Sequence, residues 1–140
     1  MAILVDTGAF YALADKSDTL HLRARNFYSG HYAEGKFVTT DYILIETWIL
    51  LKYRLGRKAA MLFWKNLMSG MIPVFGVQRV DLIKALSISQ DFKDQDYSII
   101  DCTTFALMNR TGIVDVFAFD EHFRSYRYGI GRKGYFNVLP

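Results

Sequence analysis

Ile3-Leu4-Val5-Asp6-Thr7-Gly8-Ala9-Phe10-Tyr11-Ala12-Leu13 is the stretch that decides the fold. Its apolar run, Ala2 to Val5, reads as a strand buried on both faces and ending on an acid. Helical rather than alternating periodicity follows. A buried strand that hands over to helix implies parallel pairing, because parallel neighbours need a long crossover. The rest of the chain repeats the alternation. Asp18 or Ser17 caps a helix to about residue 32, with His21, Ala24, Phe27, Tyr28 and His31 on one face. A short strand over 36–39 leads to Thr40, the N-cap of an apolar helix that carries Glu46 and stops at Gly56. A helix over 57–68 spaces Ala60, Phe63, Trp64 and Leu67 three and four apart. Pro73 marks a strand over 71–77 as an edge strand or places it at the strand's start. Val80, Ile83, Ala85 and Leu86 belong to a further helix; Ser98 caps another to about residue 110, with Gly112 as its stop. A strand over 113–119, a helical turn over 121–125 and an edge strand over 135–138 complete the chain. The expected architecture is an α/β three-layer sandwich, with a central, mainly parallel sheet and helices on both faces. No repeat or linker interrupts residues 1–140, so one domain is expected.

The 140 residues are 51% hydrophobic and 16% aromatic, which excludes a disordered chain. Cys102 is the sole cysteine, so neither a disulfide framework nor a cysteine zinc site is available; a cytoplasmic protein is expected. The first residues lack a basic lead-in and read as a strand, not a signal peptide. No apolar run approaches the ~20 residues that span a bilayer, so no membrane partner is expected.

Acids are rarely enclosed unless paired, hydrogen-bonded or bound to metal. Asp6, Glu46, Asp101 and Asp120 all interrupt or end apolar segments. Asp6 and Asp120 close expected strands, and Asp101 lies in the first turn of a helix. Ligands in such sheets sit beyond the carboxyl ends of the strands, so these three converge by topology alone. One shared cation site accounts for all four. The net charge is +3, and with those four set aside the remainder carries +7, the balance suited to a metal enzyme acting on a polyanion. Simpler readings compete. Ser98 to Asp101 matches a capping box, and Thr7 is as readily a helix cap as a donor to an acid or phosphate. Arg124, Arg127, Arg132 and Lys133 are candidate RNA backbone contacts or a solvated charge run. Tyr11, Tyr126 and Tyr128 are candidate base-stacking residues or packing residues. His21, His31 and His122 lack metal-ligand spacing with one another and are expected to serve as hydrogen-bonding groups. Asp6-Thr7-Gly8 also resembles the motif of aspartic proteases, yet that fold is almost all β. An aspartyl-phosphate enzyme would want a second Asp where Gly8 stands.

In order and context the four acids resemble those of PIN-domain nucleases, above all the VapC-type toxins of toxin–antitoxin pairs. The likeness rests on residues 3–13 with Asp18 and His21, on Thr39-Thr40-Asp41-Tyr42 through Glu46-Thr47 with Arg54-Leu55-Gly56, on residues 97–108, and on Phe117 to Phe123. The resemblance implies an Mg²⁺-dependent ribonuclease, Mn²⁺ substituting. Asp6 and Asp101 would bind the metal most directly, with Glu46 and Asp120 holding a second ion or positioning water and Thr7 giving hydrogen-bonding support. It also implies RNA, a cognate antitoxin and a second copy in a homodimer as partners, with Trp48, Phe63 and Trp64 as candidate docking residues. Gly8 departs from the usual Ser, and residues 126–134 look longer than the family's norm. The alternative is a PIN-like module that binds RNA or a partner without cutting, which would usually have lost an acid.

Overall fold

The computed structural model describes residues 1–70 and 72–140 and places the opening apolar run at the centre of a five-stranded sheet. β1 (Ile3–Val5) pairs in parallel with β2 (Phe37–Thr40), Ile3 opposite Phe37, and β2 pairs with the edge strand β3 (Val74–Phe75). On the other side β1 pairs with β4 (Asp115–Phe117), Leu4 opposite Val116, and β4 with the second edge strand, β5 (Asn137–Leu139). The order β3-β2-β1-β4-β5 is parallel throughout. Residues on β1 and most of β2 have no solvent-facing side and are apolar or threonine accordingly. A parallel α/β sheet is incompatible with the aspartic-protease reading.

Helices fill the connections: α1 (Thr7–Ala14) and α2 (His21–His31) before β2, then α3 (Asp41–Leu55) and α4 (Arg57–Met68) before β3. α5 (Arg79–Asp91) and α6 (Ile99–Thr111) precede β4, and the short α7 (His122–Ser125) precedes β5. The caps expected at Thr40, Gly56, Ser98 and Gly112 form, whereas neither Ser17 nor Asp18 caps α2, whose N-cap is Leu20. Thr40 Oγ1 accepts from the Ile43 N–H at 3.1 Å, and Gly56, at φ +98, ends α3. Ser98 Oγ accepts from the Asp101 N–H and Asp101 accepts from the Ser98 N–H, both at 3.0 Å, while Gly112 stops α6 in the left-handed region.

Some boundaries differ from expectation for local reasons. The helical periodicity read after the first strand is α1, and its N-cap is Asp6; Thr7 lies inside the first turn and does not cap it. β4 spans fewer residues than the apolar run 113–119 because β1 offers only three partners. Asp6 and Asp120 therefore follow their strands rather than end them. Asp18 Oδ1 accepts from the Leu20 N–H at 2.8 Å, and this turn delays α2 to His21. The expected edge strand at 71–77 contracts to β3, preceded by Pro73; Met71 lies outside the described residues.

The core gathers around Phe105, Phe117 and Phe123, all fully buried. Phe105 stacks on Tyr126 at 4.3 Å between centroids and meets Phe123 edge-on at 5.3 Å, fastening α6 to α7 and the strand beyond. Tyr126 and Tyr11 are themselves buried, so neither is available for base stacking. α5 is locked to α6 by Arg110, whose Nε and Nη2 donate to the buried Asp81 at 2.7 and 2.9 Å. The guanidinium holds the Asp81 carboxyl below its ordinary range. Arg110 is 34% exposed, so we expect Arg110→Ala to destabilise the fold by ~2 kcal/mol, below the ~3–5 of an enclosed pair. Denaturant unfolding at pH 7 checks this. The pair's contribution is present above pH ~4 and lost as acid protonates Asp81.

Candidate metal centre

The chain runs β1-β2-β3 outward on one side, then returns to place β4 on the other side of β1. Crevices at such reversals, outside the carboxyl ends of the strands, are where α/β sheets bind ligands. Asp6 leaves β1 and Asp120 follows β4 at this crevice, while Glu46 projects from α3 and Asp101 from the first turn of α6.

Asp6 is 6% exposed, and its N–H donates to Phe117 O at 3.1 Å, fixing the residue against β4. Burial raises its carboxyl to about 7; the Thr7 N–H opposes this, and the charges of Asp101, Glu46 and Asp120 each push it further up. Burial likewise raises Glu46, the Thr7 hydroxyl partly offsets it by hydrogen bonding, and Asp101 and Asp120 add repulsion. The structure thus brings all four acids within electrostatic reach. Thr7 Oγ1 also accepts from Thr47 Oγ1 at 3.3 Å, so a threonine pair beneath Glu46 holds its carboxylate. A Cβ at Gly8 meets nothing within 4 Å, so the Ser usual there would fit without displacement.

His122 belongs to the site as well, beyond its expected hydrogen-bonding role. Its Nδ1 lies 2.7 Å from Asp101 Oδ2 and 3.4 Å from Asp120 Oδ1, and its N–H donates to Asp120 Oδ1 at 2.8 Å. Ligand atoms of Asp101, Asp120 and His122 all lie within 4.8 Å of one another. Asp101 therefore caps α6 and at the same time faces His122 and Asp120. His21 and His31 instead bond the carbonyls of Ala12 and Phe27 at 2.7 and 2.8 Å, away from the acids. The signal for His122 was its place two residues after Asp120, at the mouth of the crevice.

Among the described residues no Lys or Arg forms an ion pair with any of the four acids. Burial raises the Asp6 carboxyl to about 7, and the three further acids add to it. Among the described residues the close ligand group is Asp101, Asp120 and His122, with Asp6 and Glu46 outside that 4.8 Å set, and such a mainly carboxylate lining fits a hard divalent cation.

Residues 3–127 match the PIN domain family. The chain belongs to it. This PIN domain is 31% identical over 127 residues to the 23S rRNA-specific endonuclease VapC20 of Mycobacterium tuberculosis, covering 86% of this chain and 91% of the relative. It superposes on the crystal structure of M. tuberculosis VapC20, a Sarcin-Ricin loop cleaving toxin, with a TM-score of 0.81 at 28% identity, covering 99% and 100% of the two chains. DNA-bound VapBC from Salmonella typhimurium, at 12% identity and a TM-score of 0.65 over 99% and 96%, shares the fold alone. The protein is a PIN-domain nuclease of the VapC type.

The expected basic residues of this PIN domain lie elsewhere. Arg127 and Arg132 line a groove with Asn109, which sits about 12 Å farther along α6 than Asp101. Arg124 and Arg127 line a second hollow with Asp115, at the amino end of β4. The apolar candidates divide: Trp64 is exposed, whereas Phe63 packs edge-on against Phe10 at 5.1 Å. The indole of Trp48 lies under the Lys52 ammonium, and its Nε1 finds no partner among the described residues. No described helix is long and apolar enough to cross a membrane.

Proposed function

We propose that Asp6, Glu46, Asp101 and Asp120 are the catalytic centre of an Mg²⁺-dependent endoribonuclease, Mn²⁺ serving in its place. The protein acts in the cytoplasm as the toxin of a toxin–antitoxin pair. One observation carries the assignment: Asp6 is enclosed, the charges of three further acids act on it, and no basic side chain among the described residues is paired to it. Asp6 and Asp101 would hold the ion most directly. When bound, a divalent ion supplies Lewis-acid polarisation of the phosphodiester and a lowered pKa for water. Glu46, held by Thr7, would complete the ion's shell or orient water, and the more exposed Asp120 would accept a proton. His122 holds Asp101 in one orientation, leaving its second oxygen free to ligate.

The substrate is RNA, and kinship with VapC20 favours ribosomal RNA. Two exposed apolar faces support two protein partners, an antitoxin and a second copy of this chain. One runs over α3 and α4 through Ile45, Ile49, Leu62, Trp64 and Met68; the other lies on α5 through Val80, Ile83 and Leu86. The test is cleavage of ribosomal RNA by purified protein. Fragments are expected with Mg²⁺, none with EDTA, and recovery with Mn²⁺. Cleavage that survives EDTA overturns the proposal.

A further inference from the structure

Residues 128–134 are built, not merely exposed. Tyr128 and Gly134 form an antiparallel bridge with N–H···O distances of 3.1 and 2.8 Å, closing a loop whose tip carries Arg132 and Lys133. A Cβ at Gly134 would lie 2.5 Å from the Tyr128 ring, so only glycine permits this closure. Among the described residues Arg132 is the one non-glycine at positive φ, +52, a region that side chains avoid unless the surroundings impose it. Here the imposed geometry seats the Arg132 guanidinium 4.4 Å over the Phe92 ring. Arg127 is fixed too: Nη1 donates to the carbonyls of Arg124 and Tyr126 at 2.7 and 2.9 Å, and its guanidinium lies over Tyr135.

Behind the loop is a groove of about 410 Å³ between α5 and the C-terminal half of α6. Lys84, Arg127 and Arg132 line it against a single carboxylate, Asp91, with Asn109 and Tyr128 as polar neighbours. None of these cations, nor Lys133, forms an ion pair among the described residues. Arg127 and Arg132, held in place by aromatic rings and carbonyls and paired with no carboxylate among the described residues, are arranged with Lys84 for an external polyanion. Asn109 puts this groove about 12 Å along α6 from Asp101. That is too far for contact with the phosphodiester at the acids.

We infer that the 128–134 loop and the groove behind it are a second RNA-anchoring surface, gripping phosphates remote from the bond that is cut. The inference rests on the RNA-cleaving reading and deepens it: the substrate is a long or folded RNA that reaches both places. Loss of these cations then weakens binding without slowing chemistry.

The experiment measures binding of a fluorescent RNA hairpin of about 30 nucleotides, by anisotropy in EDTA across a salt series, for the wild type and for Arg132→Gln with Lys133→Gln. Affinity is expected to fall about tenfold, with the slope of log affinity against log salt shallower by about two. In ribosomal RNA cleavage with Mg²⁺, KM rises and the rate at saturation stays unchanged. Arg132→Gly suits the left-handed backbone and serves as a second variant, with a slope change of about one. Unchanged affinity and slope overturn the inference, and so does a reduced saturating rate with an unchanged slope. The hairpin measurement needs no cleavage, so it is read independently of whether the acids cut RNA.

Discussion

Asp6→Asn lowers RNA cleavage by roughly 10³-fold or more while making the metal-free protein more stable. The two effects share one cause. Asp6 titrates at about 7 in the folded chain against an ordinary value of 3.8. Between those values the folded state holds a proton that the unfolded state has released. Stability therefore falls as pH rises from about 4 to 7, and the whole penalty is present above 7. Three pH units correspond to about 4 kcal/mol, so we expect a gain of ~2–4 kcal/mol for Asp6→Asn at pH 7.5 without metal. Asparagine fills the same space and keeps an oxygen toward the Thr7 N–H, but offers no charge to a cation. Thermal unfolding in EDTA at pH 5 and 7.5 checks this: the variant's advantage grows with pH. Adding Mg²⁺ reverses the ranking, because the ion relieves the repulsion only where the carboxylate remains.

Phe105→Ala destabilises the protein by ~3–5 kcal/mol. The ring is fully buried on α6, one turn beyond Asp101, and touches Tyr97, Phe123, Tyr126 and Phe136. No neighbour is flexible enough to refill the volume, since four aromatic rings line it. The midpoint of thermal unfolding is expected to drop by ~10 °C or more. Below the transition, cleavage per folded molecule also falls, because α6 carries Asp101 and the ring stack fastens that helix to α7, where His122 sits. Phe105→Leu, which retains most of the volume, is expected to lose ~1–2 kcal/mol and little activity.

The layered parallel fold was legible because the central strand β1 is apolar throughout and helices such as α3 and α6 carry their own punctuation. Thr40, Gly56, Ser98 and Gly112 mark helix ends by local chemistry, and local chemistry is what a sequence displays. α1 was legible as helical periodicity straight after the strand, though its bounds were not. Strand ends were overestimated because pairing depends on the partner's length, which no single segment states. In the site, the four acids were legible from their misfit with apolar surroundings. His122 was not, since its tie to Asp101 crosses 21 residues of chain and depends on α7 turning back over α6. The placement of Arg127 and Arg132 beside α5 was invisible for the same reason. Their run after Asp120 did not say where they would lie, and the loop closed by Tyr128 and Gly134 sets Arg132 beside the C-terminal half of α6.

Isothermal titration of Mn²⁺ into the protein at pH 7 addresses the shared-cation account most directly, run on wild type, Asp6→Asn, Glu46→Gln, Asp101→Asn and Asp120→Asn. The account predicts that wild type binds with proton release, that every substitution weakens the same binding event, and that Asp6→Asn removes most of the released proton. Full-strength binding by the Glu46 or Asp101 variant would contradict it.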